Sequence, residues 1–156
     1  MSGGFGRDSF VFKYIVMKTQ NEGLVWGVRS LSWWLVLLVA LGIIFVGVRF
    51  ILAPAVGAEG YGIGFSDVFD GVYGRIKGIR DIFSGLVLLP FLVMRMRRVA
   101  AWAFSSAIII PVTDGMLVIA RNGWGDIAHW SIHWGTAVYM MVVSVLLFRG
   151  GRGGGK

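Results

Sequence analysis

Residues 33–52 read WWLVLLVALGIIFVGVRFIL, twenty residues with a single charge, Arg49, close to the end. At about 1.5 Å per residue a helix of this length reaches roughly 30 Å, the thickness of a bilayer's hydrocarbon core. A cleavable signal has a shorter apolar core nearer the start of the chain. This block, taken as 31–53, therefore reads as a retained membrane span. The whole chain has the same character: 156 residues, 56% hydrophobic, 15% charged, mean hydropathy +0.76, net charge +7. Soluble domains lie near 45–50% apolar and about 25% charged. A soluble globular domain and a disordered chain are both excluded. The lack of cysteine removes disulfide frameworks, thiolate metal sites and thiol redox chemistry.

Three further apolar blocks follow. Block 72–94 carries Lys77, Arg80 and Asp81; block 99–120 carries Asp114; block 127–148 carries His129 and His133. The second is the least apolar, but its half from 82 to 94 is too apolar for water and the basic stretch 95–98 marks an exit. The expectation is an all-α, polytopic, multi-pass membrane protein: a four-helix transmembrane bundle with spans near 31–53, 72–94, 99–120 and 127–148. An N-terminal cytoplasmic or interfacial segment (1–30) precedes domain 31–148, and a disordered Gly/Arg tail (149–156) follows. Residues 10–17 are apolar but too short to span, and suit the interface. Met17 offers a second candidate start.

The Gly-rich stretch 54–71 reads as the one long loop. The connections 95–98 and 121–126 are short, which makes successive helices antiparallel neighbours. Ten basic residues fall on one side: Arg7, Lys13, Lys18, Arg29, Arg95, Arg97, Arg98, Arg149, Arg152 and Lys156. Five fall on the other: Arg49, Arg75, Lys77, Arg80 and Arg121. The positive-inside rule then places both termini in the cytoplasm. The +7 charge is accounted for in this way and calls for no nucleic acid. Trp33, Trp34 and Trp102 fall at the inner interface, and Tyr73, Trp124 and Trp130 at the outer one.

Depth is the most informative quantity. Counted from the cytoplasmic ends, Arg49 lies about 25 Å up, Arg80 and Asp81 about 21 Å, Asp114 about 24 Å and His133 about 22 Å. Ionisable groups of all four helices thus reach one level in the outer half, and the inner half holds none. A charge in hydrocarbon costs at least about 2.5–3.5 kcal/mol, so such groups face the bundle interior and pair. Arg49 and Arg80 can balance Asp81 and Asp114, with His133 as the titratable member. The bland reading is a structural ion-pair layer, or snorkelling in the case of Arg49. The functional reading is an outward-opening polar pocket.

Gly78, Asp81 and Gly85 share a face, and Gly74 with Gly78 forms a GxxxG, so Asp81 points at another helix. Lys77, one turn earlier, is a competing partner for Asp81. Pro111 and Pro90 remove the hydrogen bonds to the Ala107 and Leu86 carbonyls and kink their helices. His129 and His133 form an HxxxH pair without a zincin glutamate, so no metal and no cofactor are expected. Trp130 and Trp134 either belong to an interfacial belt or form an aromatic wall around an apolar ligand.

Taken together, Lys77-Gly-Ile-Arg-Asp81 with Ser84-Gly85, Ile110-Pro-Val-Thr-Asp114, Ile132-His-Trp-Gly-Thr-Ala137 and Arg49-Phe-Ile-Leu-Ala-Pro54 resemble the small four-helix membrane family catalogued as domain of unknown function 4267. The resemblance covers about residues 31–148 and implies a four-helix bundle, with no established activity. Two functions compete. In the first, the pocket binds a small hydrophobic molecule and acts on it. Asp114 and His133 are then the acid–base pair, Arg80 and Asp81 an orienting ion pair, and Arg49, His129, Trp130 and Trp134 ligand contacts. In the second, the chain is a non-enzymatic accessory subunit that meets a membrane partner, or a second copy of itself, through the GxxxG face, the N-terminal segment and the basic tail.

Overall fold

A computed structural model describes residues 26–67 and 69–150. The interfacial stretch 10–17 and most of the Gly/Arg tail lie outside the described residues. Among the described residues all regular structure is helical: α1 (Leu31–Leu52), α2 (Pro54–Tyr61), α3 (Asp70–Val93), α4 (Arg97–Ala107), α5 (Ile109–Asn122) and α6 (Ile127–Arg149).

Each boundary has a local cause. Proline disfavours helical geometry in the residue before it, and Ala53, held at φ −138°, ends α1 there. The same Pro54 is well suited to a first helical position and starts α2. Gly62, at φ 100°, closes α2 in the left-handed conformation that glycine adopts without strain, donating to the Ala58 and Glu59 carbonyls. The stretch expected to be a long loop therefore contains a helix with a proline start and a glycine stop. The Asp70 carboxylate accepts the backbone N–H groups of Ser66 and Asp67 at 2.7 and 3.0 Å and anchors the start of α3. The third apolar block divides at Ile108. Pro111 offers no N–H to the Ala107 carbonyl, and Ile108 bonds back only three residues, to Ser105. The chain continues through Pro90 as one helix.

Among the described residues three stretches are long and apolar enough to cross a membrane: α1, the run Arg97–Asn122 formed by α4 and α5, and α6. Helix α3 is as long, but Lys77, Arg80 and Asp81 near its middle remove it from that set. By length and composition the four expected spans become three.

Helices α1 and α3 pack at backbone distance. A Cβ on Gly47 would lie 2.5 Å from the Gly78 carbonyl oxygen, and one on Gly78 would lie 2.6 Å from the Gly47 oxygen. Gly85 meets the Ala40 carbonyl just as closely, at 2.6 Å. The GxxxG face is thus consumed inside the chain: Gly78 lies against α1, and Gly74 lies under Phe65 and Pro54. It is not available to a partner protein. In the other half, α5 packs on α6 and α4 packs on α6.

The two halves are joined differently at their two ends. Away from α2, an apolar core of Val36, Ala40, Leu88, Leu92, Phe104 and Met140, among others, fills the bundle. Trp33 Nε1 donates to the Leu92 carbonyl at 3.1 Å and the Tyr139 hydroxyl to that of Leu35 at 3.0 Å, pinning helix to helix. Each such bond is worth about 1 kcal/mol in a membrane. The α3–α4 turn closes on Arg95 at φ 56°, with Met96 N–H bonded to the Phe91 carbonyl. Arg95 is the one non-glycine residue with positive φ among the described residues. This conformation costs a side-chain-bearing residue about 1–2 kcal/mol.

Candidate functional site

At the α2 end the halves meet through polar groups, and their common element is the dipeptide Tyr61–Gly62. The proline–glycine framing of α2 turns its last residue back toward the bundle. The Tyr61 hydroxyl lies near enough to the Asp114 carboxylate of α5 to feel its charge. Its ring packs edge-on against that of His133 in α6, with centroids 4.7 Å apart. The His133 Nε2 lies 2.9 Å from the Tyr61 carbonyl oxygen. A carbonyl only accepts, so Nε2 carries the proton, and in the neutral ring Nδ1 is an acceptor. The Asn122 Nδ2 donates to the Gly62 carbonyl at 2.5 Å and to Asp126 Oδ2 at 2.6 Å. His129 lies against Gly62 so closely that a Cβ there would come within 2.6 Å of the His129 Cβ. His129 is itself held by Asp126, Nδ1 to Oδ1 at 2.6 Å.

Helix α3 supplies the remaining charges. Its buried residues Gly74, Gly78, Asp81, Gly85, Leu88 and Leu92 recur at steps of four and three and form one inward face. Asp81 therefore faces inward, where Lys77 binds it at 2.9 Å. The Lys77 ammonium also sits 5.2 and 5.1 Å from the ring centroids of Phe50 and Tyr61, on the electron-rich aromatic faces that attract cations. Tyr61 thus lies against Lys77 of α3 and His133 of α6 and within the field of Asp114 on α5.

The other candidate residues lie elsewhere. Arg80 is exposed, and Asp81 pairs with Lys77 rather than with Arg80. Arg49 is exposed at the end of α1, where its Nη2 donates to the Val56 carbonyl at 3.2 Å and braces α2. Trp130 donates to the Trp124 carbonyl at 3.0 Å, and the two rings meet edge-on. Trp134 lies over Gly115 of α5. No group of three or more His, Asp or Glu that could hold a metal occurs among the described residues.

Electrostatics assigns proton positions. Burial, and then the Asp114 charge, push the Tyr61 hydroxyl above its ordinary range. It stays protonated and serves as a donor. Asp126 is held below the usual carboxylate range by Asn122 first and His129 second. A carboxyl that is more acidic folded than unfolded stabilises the fold above its unfolded value of about 3.9. That contribution is lost as pH falls through the lower folded value. Thermal stability in detergent is therefore expected to decline on acidification below about pH 4, and Asp126→Asn should flatten that limb. An unchanged acid limb in the variant would assign the loss to other carboxylates.

Tyr61 and Asn122 were not among the residues singled out in the sequence. The available signal for Tyr61 was the pairing of Pro54 with Gly62, which frames a short helix. Asn122 carried no signal apart from its place at the end of a span. Chemically, the cluster presents two acceptors, the Asp114 carboxylate and the His133 Nδ1, beside a donor hydroxyl. Carboxylate, imidazole and hydroxyl groups of this kind are the ones that exchange protons in general acid–base chemistry. No curated protein and no solved structure matches the chain. The family described as Domain of unknown function (DUF4267) does match, over residues 40–147, a range that begins within α1 and contains Tyr61, Lys77, Asp81, Asp114 and His133. The chain belongs to that family.

Proposed function

We propose that this chain is a four-span membrane protein whose outer polar layer binds a small hydrophobic molecule with a hydroxyl or amino head, with Asp114 and His133 as its acid–base pair. The observation that carries the reading is the position of Tyr61, against which Asp114 and His133 converge. The fourth span is α3. Its exposed apolar residues Val72, Ile76, Ile79, Phe83, Leu86 and Val93 form one stripe, while Lys77 and Asp81 pair on the inner side. Length and charge placement together let it cross with its ions hidden. The end of the bundle with Arg29, Arg95 and Arg149 faces the cytoplasm, as the ten-to-five distribution of basic residues favours.

The test is native mass spectrometry of the full chain released from mild detergent, with helical content followed by circular dichroism. Wild type is expected to carry a small amphiphile. Asp114→Asn and His133→Ala are each expected to lower its occupancy at least about tenfold, the effect of one lost charge-assisted hydrogen bond. Helical content should be retained in both variants. A wild-type protein without a bound molecule, or variants that keep it, overturns the proposal. Loss of folding in both variants also overturns it, because the layer is then structural.

A further inference from the structure

Crossing the membrane as α3 does hides Lys77 and Asp81, but not Arg80. Arg80 is exposed, and its guanidinium makes no hydrogen bond or ion pair among the described residues. At 1.5 Å per residue it stands about 15 Å from the start of α3 and about 20 Å from its end. A charge at that depth is costly unless something pairs with it.

The surroundings show where a partner fits. Tyr73, Lys77, Arg80 and Ser84 recur at steps of four, three and four, so they share one flank of α3 beside its inward face. On α5, Ile110, Asp114, Leu117 and Arg121 recur at the same steps. The Asp81 carboxylate lies in the field of both Arg80 and Asp114, which turns the two stripes toward each other. Yet Arg80, Ser84, Ile110 and Leu117 are all exposed. Helix α3 packs mainly on α1, and α5 mainly on α6. The outer half is therefore open to the side between α3 and α5, with exposed Ile76 and Phe83 one turn from Arg80. Charge supplies a second, independent observation. In the layer Arg49, Lys77 and Arg80 stand against Asp81 and Asp114, so one positive charge is left over.

We propose that the opening between α3 and α5 binds a long-chain fatty acid from the bilayer, its carboxylate paired with Arg80. Its chain lies along Ile76 and Phe83 on one side and Ile110 and Leu117 on the other. One carboxylate balances the layer, and it accepts two guanidinium N–H groups in parallel. A phospholipid phosphate stays outside the hydrocarbon core, whereas a single-chain acid can slide along the helix to the depth of Arg80. The proposal rests on α3 crossing the membrane and does not need Asp114 and His133 to act as an acid–base pair.

The experiment offers the full chain in detergent equal amounts of deuterated palmitate, hexadecanol and phosphatidylglycerol, and counts each by native mass spectrometry. Deuteration separates added palmitate from any molecule that co-purifies. Wild type is expected to retain palmitate over the other two. Arg80→Gln, at an exposed position, should lower palmitate affinity about tenfold. Leu117→Trp, which fills the opening without touching a charge, should also lower it. Arg75→Gln, an exposed arginine outside the stripe, should leave it unchanged. Equal retention of palmitate and hexadecanol, or preference for phosphatidylglycerol, overturns the proposal. Undiminished palmitate binding in both Arg80→Gln and Leu117→Trp also overturns it, as does an equal loss in Arg75→Gln. Resistance of the chain in phosphatidylcholine vesicles to alkaline extraction tests the membrane reading separately. Extraction removes both readings, whereas resistance without palmitate binding removes this one alone.

Discussion

Gly78→Leu is expected to break the α1–α3 pair and lower stability by about 3 kcal/mol, the upper part of the range for overpacking. A Cβ at this position would stand 2.6 Å from the Gly47 carbonyl oxygen, 2.9 Å from Ile51 Cγ1 and 3.0 Å from Phe50 Cβ. The nearest atom is backbone, so no rotamer change relieves the contact and the helices must separate. Separation also moves Phe50, whose ring faces the Lys77 ammonium, and so disturbs the Lys77–Asp81 pair from a distance. Gly42→Leu is the control. It lies on the same helix as Gly47 with nothing within 4 Å of its Cβ position, and its variant should unfold like wild type. Unfolding in mixed detergent measures both. Equal stability of the two variants would show that α1 and α3 do not pack at backbone distance.

The second large effect is expected from Gly62→Val. Two penalties coincide there. At φ 100° a β-branched side chain is strained by at least about 1–2 kcal/mol, and its Cβ would come within 2.6 Å of the His129 Cβ. With overpacking of about 1–3 kcal/mol, the total is about 2–5 kcal/mol, enough to withdraw Tyr61 from Asp114 and His133. The segment between α1 and α3 should then become accessible to protease. Gly64→Val, two residues on and in open space, should leave the segment protected. Similar cleavage of both variants would show that Tyr61–Gly62 is not the attachment point.

These two sites also show what could be read from the sequence and what could not. Apolar runs of membrane length announce themselves through composition, and α1, Arg97–Asn122 and α6 were legible for that reason. The inward direction of Asp81 was legible from its spacing to Gly78 and Gly85, because a 3.6-residue period fixes which residues share a face. Its choice of partner was open: Lys77 at one turn and Arg80 next in sequence both carry the charge, and only geometry decides for Lys77. Depth counting puts Asp81, Asp114 and His133 at one level, but it counts along the spans alone. Tyr61 lies between spans, on a helix of 8 residues in a stretch whose glycines suggest a loop. It reaches the layer by folding back, a long-range event that no local pattern encodes. The carbonyls of Tyr61 and Gly62 are gripped by residues 72 and 60 positions later.

That sequence separation sets an order of assembly during synthesis. Helices α1, α2 and α3 are made first, and the glycine contacts between α1 and α3 can form as soon as both are in place. The partners of Tyr61 on α5 and α6 do not yet exist. At about 5–20 residues per second, the 72 residues between Tyr61 and His133 take roughly 4–14 s to emerge. Throughout that interval an N-terminal hairpin waits with Tyr61 and the Lys77–Asp81 pair uncovered. Closure around Tyr61 must wait until α6 has been made, and a chain halted before α6 would be left with the His133 contact to Tyr61 unmade.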